Sequence, residues 1–323
     1  MGKFSALAVA LTLAMSGGAA ADDYPSRAVT LVVPFPAGGG TGLLARILAE
    51  QMQVELGQPV IVENVGGAGG SIGVARVARA AADGYTLVFG NWASNVGSGA
   101  VYPVDYDLIK DFEPVARIAD TPLWVVARKE FPANDFKTLI AWLKANPGKA
   151  TAATVGLGSG SHLCGIYLQN TLGVQFQFVP YRGGAPASQA LVAGNVDVMC
   201  DQASNSLPFA RAGQIKALVV MARHRWFGAP EVPTVDEMGV PGIYVSFWHG
   251  LWAPKGTPKE IVARLNGAVV ASLGNDAVRK RFADQGQEIP PRDQQTPEAL
   301  AAYQKADIDK WWPMVKAAGI KGE

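Results

Sequence analysis

The sequence predicts an α/β protein of two lobes whose chain crosses between them twice. Three observations predict it. The chain has 323 residues, 49% of them hydrophobic and 17% charged, enough apolar material for more than one core at a length where a single core usually divides. Short β-branched runs alternate with helical patterns, the mark of βαβ units around a mainly parallel sheet. The alternation restarts in mid-chain and ends in helices without strands of their own, so the C-terminal helices are expected to return to the first lobe. The expected division is 1–21 as an export signal, 22–122 plus 247–323 as the first lobe, and 123–246 as the second.

Each element follows from local pattern. Residues 29–33 form a β-branched run closed by Pro34, and the glycines after it lead into a helix with Leu44, Ile47, Leu48 and Met52 on one face. Residues 60–62 read as a second strand, followed by a glycine-rich loop at 65–70, an alanine-rich helix through Val74, Val77 and Ala78, and a third strand at 85–89. The second series opens with a strand at 123–127 and a helix at 136–145. It continues with a strand at 150–155, a helix after Ser159, Gly160 and Ser161, a strand at 176–179, a helix at 185–193, and strands at 196–200 and 215–220. Beyond a Pro/Gly-rich stretch at 229–242, the chain reads as an extended segment at 244–253 and helices at 259–273 and 297–318.

The N-terminus specifies a compartment. Lys3, the apolar run 4–15 and the small residues ending at Ala19, Ala20 and Ala21 make the n-region, h-region and cleavage pattern of a secretory signal. A membrane anchor needs about 20 apolar residues, and this run breaks at Ser16, Gly17 and Gly18. Cleavage after Ala21 is expected to leave a soluble protein outside the cytoplasm. Lys plus Arg (28) nearly balance Asp plus Glu (27), and Lys3 is the only charge in the signal, so the mature chain has no formal net charge. That argues against a nucleic-acid binder with a broad basic surface. Cys164 and Cys200 sit in apolar settings; an oxidising compartment favours a disulfide, whereas buried free thiols fit the same sequence. Three histidines, His162, His224 and His249, show no zinc-ligand spacing, and no cofactor is expected.

Chemistry is sought at the loops where strands end and helices begin, because a two-lobed α/β protein holds its ligand there. Ala37, Gly38, Gly39 and Thr41 follow the first strand, with unobstructed amides, a helix dipole suited to an anion and Thr41 placed as an N-cap; an empty tight turn fits equally. The loop lacks the Walker A lysine, and Leu43 breaks a dinucleotide fingerprint. Gly69, Gly70 and Ser71 belong to a G-x-S-x-G match, which a hydrolase would use with Ser71 as nucleophile. The 65–70 loop separates Ser71 from its strand, however, and no triad order follows, so Ser71 reads better as an N-cap or ligand donor. Gly158, Ser159, Ser161 and His162 open another helix; His162 reads as a local backbone partner or, less well, as a general base. Arg182, Gly183 and Ala185 lead into a further helix, with Arg182 able to pair with a carboxylate. Asp201 stands at a strand end, either receiving a ligand donor or capping the next helix. Ser94 and Trp92 follow the third strand, and Trp92 either offers a flat face beside Phe35 or fills the core.

Over essentially the whole mature chain these segments resemble the periplasmic solute-binding receptors of tripartite tricarboxylate transporters, the Bug receptors. The matching stretches include Tyr24-Pro25-Ser26-Arg27, Gly38-Gly39-Gly40-Thr41, Gly67-Ala68-Gly69-Gly70-Ser71-Ile72-Gly73, Asp83-Gly84-Tyr85-Thr86, Pro180-Tyr181-Arg182-Gly183, Glu231-Val232-Pro233-Thr234 and Ala253-Pro254-Lys255-Gly256-Thr257-Pro258. The resemblance implies a Venus-flytrap fold of type II and no enzymatic activity. It also implies a small carboxylate held by loop amides and waters, delivery to membrane permease subunits, and a monomer. Many relatives carry Asp where this chain has Gly42, which removes an acceptor for a ligand ammonium. With Trp92 as an apolar wall and Gly42 leaving no carboxylate there, an aromatic dicarboxylate such as terephthalate is the expected ligand, ahead of an aliphatic di- or tricarboxylate. A sensor handing its closed form to a signalling partner would use the same pocket, and an exported serine hydrolase is the remaining alternative.

Overall fold

The computed structural model describes residues 24–156 and 158–321. The predicted export signal at 1–21 lies outside the described residues.

The first lobe is built as the βαβ pattern requires. β1 (Val29–Val33), β2 (Val60–Asn64) and β3 (Thr86–Asn91) are parallel, with β1 in the middle. The crossovers are α1 (Gly40–Leu56), whose Leu44, Ile47, Leu48 and Met52 are buried, and α2 (Ser71–Ala78), which follows a 3₁₀ turn at Ala68–Gly70. After β3 the chain makes a π-helical turn at Ala93–Gly97 and a short α3 (Ser98–Val101).

β4 (Phe112–Arg128) is the strand that joins the lobes. Only 123–127 reads as strand in the sequence, because Glu113, Pro114, Arg117, Asp120 and Thr121 interrupt the apolar run before it. Two register shifts, at Pro114/Ala116 and Arg117/Ala119, absorb the proline and keep the strand paired with β9 (Ser246–Pro254) as far as Pro122↔Ser246. From Leu123 onward β4 changes partners to β7 (Val198–Gln202) on one side and β8 (Ile215–Val220) on the other. The sheet therefore runs β2-β1-β3-β9-β4-β7-β5-β6, with β8 also on β4.

In the second lobe β5 (Thr151–Thr154) lies parallel to β6 (Gln177–Pro180) and to β7. Its helices are α4 (Phe136–Ala145), α5 (Gly160–Leu172), α6 (Gly184–Val192) and α7 (Ala203–Arg211). Asp135 caps α4 with a reciprocal box to Thr138, which fixes where that helix starts. Cys164 on α5 and Cys200 on β7 form a disulfide with a Cα–Cα distance of 6.2 Å, which resolves the two alternatives of the sequence.

The chain then returns. α8 (Lys259–Gly274) and α9 (Asp276–Asp284) pack on α1, and α10 (Pro297–Ala317) lies along β4. The short α9 escapes sequence reading because only Val278 and Phe282 of its nine residues are buried, too few for a periodic signal. Beside the crossing strands, Asp120 and Glu288 exchange both backbone hydrogen bonds, and Asp120 also accepts from Arg117 and Ser246. Three chain segments are thus tied together where the lobes meet. Among the described residues, no helix is long and apolar enough to cross a membrane.

Candidate functional site

A cleft of about 700 Å³ opens between the lobes. The loop from β1 to α1 supplies Phe35, Ala37, Gly39 and Thr41; β3 ends in it with Asn91, and β9 crosses its floor with Phe247 and His249. Arg182 and Gly183 face them from the β6–α6 loop, joined by Gln202, Ser204 and Asn205 of the β7–α7 turn and by Gln285 and Gln287. Two helix N-termini converge on this space, α1 from the first lobe and α6 from the second. Gly183 is the N-cap of α6 at φ +110°, a backbone angle that favours glycine. Arg182 is exposed, and among the described residues it is the one charged side chain of the cleft lining. A helix N-terminus on each wall and a guanidinium on one of them favour a ligand with negative charge.

Thr41 does not cap α1. Gly39 takes the N-cap position without a side-chain bond, and Thr41 falls in the first helical turn. Its hydroxyl oxygen lies 3.0 Å from Asn91 Nδ2, which donates to it, and 3.3 Å from His249 Nε2. Asn91 is held by accepting, through Oδ1, the amides of Ala93 and Ser94 at the start of the π-helical turn. His249 is 2% exposed, its ring lies 6.0 Å from each of Phe89 and Phe247, and its Nδ1 has no partner among the described residues. Burial disfavours the imidazolium and lowers its pKa to about 3, so the ring is neutral at physiological pH.

The structure gathers fewer of the sequence candidates into the cleft than the strand-end argument expects. Phe35, Ala37, Gly39, Thr41, Arg182 and Gly183 line it, with Gly38 in the same exposed loop and Ala185 exposed on the first turn of α6. Ser71 begins α2 and opens onto a separate depression with Arg79 and Tyr106. The glycines before it are packed closely, so that a Cβ on Gly69 would meet Tyr102 and one on Gly70 would meet Ser94. Ser94 is fully buried and bonds Asn91 and Asn95.

Trp92 is core rather than wall. It is 2% exposed, edge-on to Trp311 at 5.4 Å and 6.5 Å from Phe247, and Gly160 of the second lobe lies against it. The cleft's aromatic faces are instead Phe35 and Phe247. A Cβ at Gly42 would meet Arg46 and Asn64, and Gly42 is not among the residues that line the cleft. Among the described residues, the cleft lining holds no carboxylate that could pair with a ligand ammonium.

The second-lobe hydroxyls close their own loop. Ser159 caps α5 through the His162 amide, donates to the Gly156 carbonyl and meets Ser161, which accepts from the Val155 amide. His162 Nδ1 accepts the Gly158 amide, and the ring packs edge-on to Phe178; burial lowers its pKa. Gly158 itself lies beside Val101 and Ile320. No hydrogen bond joins a histidine to Ser71 among the described residues.

Asp201 is buried below the cleft. Oδ1 accepts from Asn205, Oδ2 has no hydrogen-bond partner among the described residues, and burial raises the pKa to about 6. The folded state therefore holds this proton between pH 3.8 and 6 while the unfolded chain has lost it, and stability falls as pH rises through that window. Asp201→Asn is expected to add up to about 3 kcal/mol at pH 8, the equivalent of the shift, and under about 1 kcal/mol at pH 4. Urea unfolding at the two pH values checks this, and equal effects at both would contradict it.

Asn91, His249, Asn205, Gln285 and Gln287 also line the cleft, beyond the ligand contacts expected from the sequence. For His249 a signal existed, a polar residue inside the apolar run of β9. For Gln285 and Gln287 none did, since they lie in a polar segment after α9.

Comparison with known proteins decides what this cleft belongs to. The family model described as tripartite tricarboxylate transporter family receptor matches residues 44–320. The chain belongs to that family. The receptor shares its fold with the periplasmic binding protein BugD, at 41% identity and TM-score 0.77, covering 93% of this chain and all of that one. MatC from Rhodopseudomonas palustris, solved with bound malate, is also 41% identical at TM-score 0.77, covering 90% of the receptor and 100% of MatC. A further R. palustris protein, solved with adipate, is 35% identical at TM-score 0.79, covering 93% and 99%. The two-lobed α/β fold is thus that of the periplasmic binding proteins.

Proposed function

We propose that this receptor is exported to the periplasm, captures a dicarboxylate in the interlobe cleft and presents it to membrane permease subunits without transforming it. The observation that carries the reading is the distribution of charge in the cleft. Donor groups of the α1 N-terminus lie on one wall, Arg182 and the α6 N-terminus lie on the other, and among the described residues no carboxylate lines the space between. An anion with a charged group at each end satisfies both walls, whereas an amino acid brings an ammonium with no partner. The similar proteins solved with malate and with adipate support the class. Within it, terephthalate is the proposed preference, with Phe35 and Phe247 offering its ring apolar contact.

Closure follows from the same arrangement. The segments 22–122 plus 247–323 and 123–246 move as two bodies about the paired crossings at Thr121↔Phe247 and Pro122↔Ser246, and this brings Arg182 toward Thr41. Calorimetry with terephthalate, adipate, malate, benzoate and aspartate tests the reading. The dicarboxylates are expected to bind more tightly than benzoate, and aspartate not to bind. Arg182→Gln is expected to weaken dicarboxylates by about tenfold or more, the worth of one charge-assisted hydrogen bond, and benzoate by less. Aspartate binding as tightly as malate, or an Arg182→Gln variant with unchanged affinity, would overturn it.

A further inference from the structure

We infer that His249 is a positioning residue that makes the Thr41 hydroxyl a donor toward the cleft, so that the first-lobe end of the site accepts an ionised carboxylate and rejects hydrogen-bond donors. The inference deepens the carboxylate reading above and rests on it.

The proton count around Thr41 Oγ1 carries the argument. Asn91 has no freedom of orientation: its Oδ1 accepts from the amides of Ala93 and Ser94 at 3.0 and 3.2 Å, so its NH₂ end is the one that meets Thr41. The hydroxyl therefore already accepts one hydrogen bond. His249 Nε2 is the second neighbour, and the neutral ring carries a single proton. If that proton sat on Nδ1, a buried N–H would have no acceptor, since Nδ1 has no partner among the described residues. If it sits on Nε2, it is donated to Thr41 and only a bare acceptor nitrogen is left unpaired, the less costly arrangement because orphaned buried N–H groups are the rarer kind. Thr41 then accepts twice, both lone pairs are engaged, and its own proton is free for the half-exposed side that lines the cleft. A hydroxyl in that state can give a hydrogen bond but not receive one. The neighbouring amides of the first turn of α1 have the same one-way character. A carboxylate oxygen fits this end; an ammonium or a protonated acid presenting O–H does not.

Two measurements test the inference. Imidazole nitrogen NMR of the ligand-free protein reads the tautomer, with the proton expected on Nε2 of His249; a proton on Nδ1 would overturn the assignment. Binding of malate and terephthalate is then measured on variants whose folding is checked by circular dichroism. Thr41→Val is expected to lose about tenfold in affinity, the worth of a hydrogen bond to a charged group. His249→Leu is expected to lose a similar factor, and His249→Gln, whose amide supplies an N–H at the place of Nε2, to recover most of it. In the Thr41→Val background, His249→Leu is expected to add no further loss, because the histidine acts through the threonine. Additive losses, or a His249→Gln variant as weak as His249→Leu, would count against it. Wild-type protein that binds none of the carboxylates overturns the functional reading instead, and the tautomer still decides where the proton lies.

Discussion

Replacing Cys164 and Cys200 together by alanine is expected to cost about 4 kcal/mol of stability, from the loop-closure entropy of a cross-link between residues 36 apart. The bond ties the first half of α5 to the middle of the second lobe's sheet, and both sulfurs lie against Met221 Sδ, at 3.3 and 3.6 Å. Both cysteines and Met221 are buried in the core cluster that holds Leu163, Val198 and Val219, so the alanines also leave a small void and the total is expected to be no smaller than the entropic part. Urea unfolding of wild type, of wild type in reductant and of the double variant measures it. A wild-type midpoint unchanged by reductant, with both thiols shown to be free, would contradict the expectation.

Acidification is expected to destabilise the receptor through His249 by about 1.4 kcal/mol for each pH unit below 6.5. The ring titrates near 6.5 in the unfolded chain and near 3 in the folded one, because burial penalises the imidazolium. Between those values the unfolded chain binds a proton that the folded chain does not, so stability rises with pH and is lost as pH falls. Asp201 acts in the opposite sense over pH 3.8 to 6, so His249 is isolated by difference. Between pH 7 and pH 5, wild type is expected to lose about 2 kcal/mol more than His249→Gln, following the same linkage. Equal losses in the two proteins would show that the imidazole does not carry the effect. The site prediction is separable from this one, since the neutral ring holds Thr41 at every pH from 5 to 8.

Where local composition suffices, the sequence determined the outcome. The β-branched runs at Val29–Val33 and Ile215–Val220 are strands with the predicted bounds, because a short apolar run between turn signals satisfies a strand buried on both faces with no information from elsewhere. The ordered loop motifs likewise sufficed for the family.

Tertiary structure decided everything that depends on which distant segments meet. β4 is 17 residues long because β9 pairs with its first half, where Glu113, Arg117, Asp120 and Thr121 interrupt the apolar run, and an interrupted run becomes a strand when a partner satisfies its amides. Trp92 turned inward because Trp311, from the last helix, and Gly160, from the other lobe, close over it. The Thr41 site joins residues 50 and 208 positions apart. No periodicity spans such separations, so neither the histidine beneath the threonine nor the direction of its proton is written in any one stretch of sequence; both follow from β9 passing beside β3 under the N-terminus of α1.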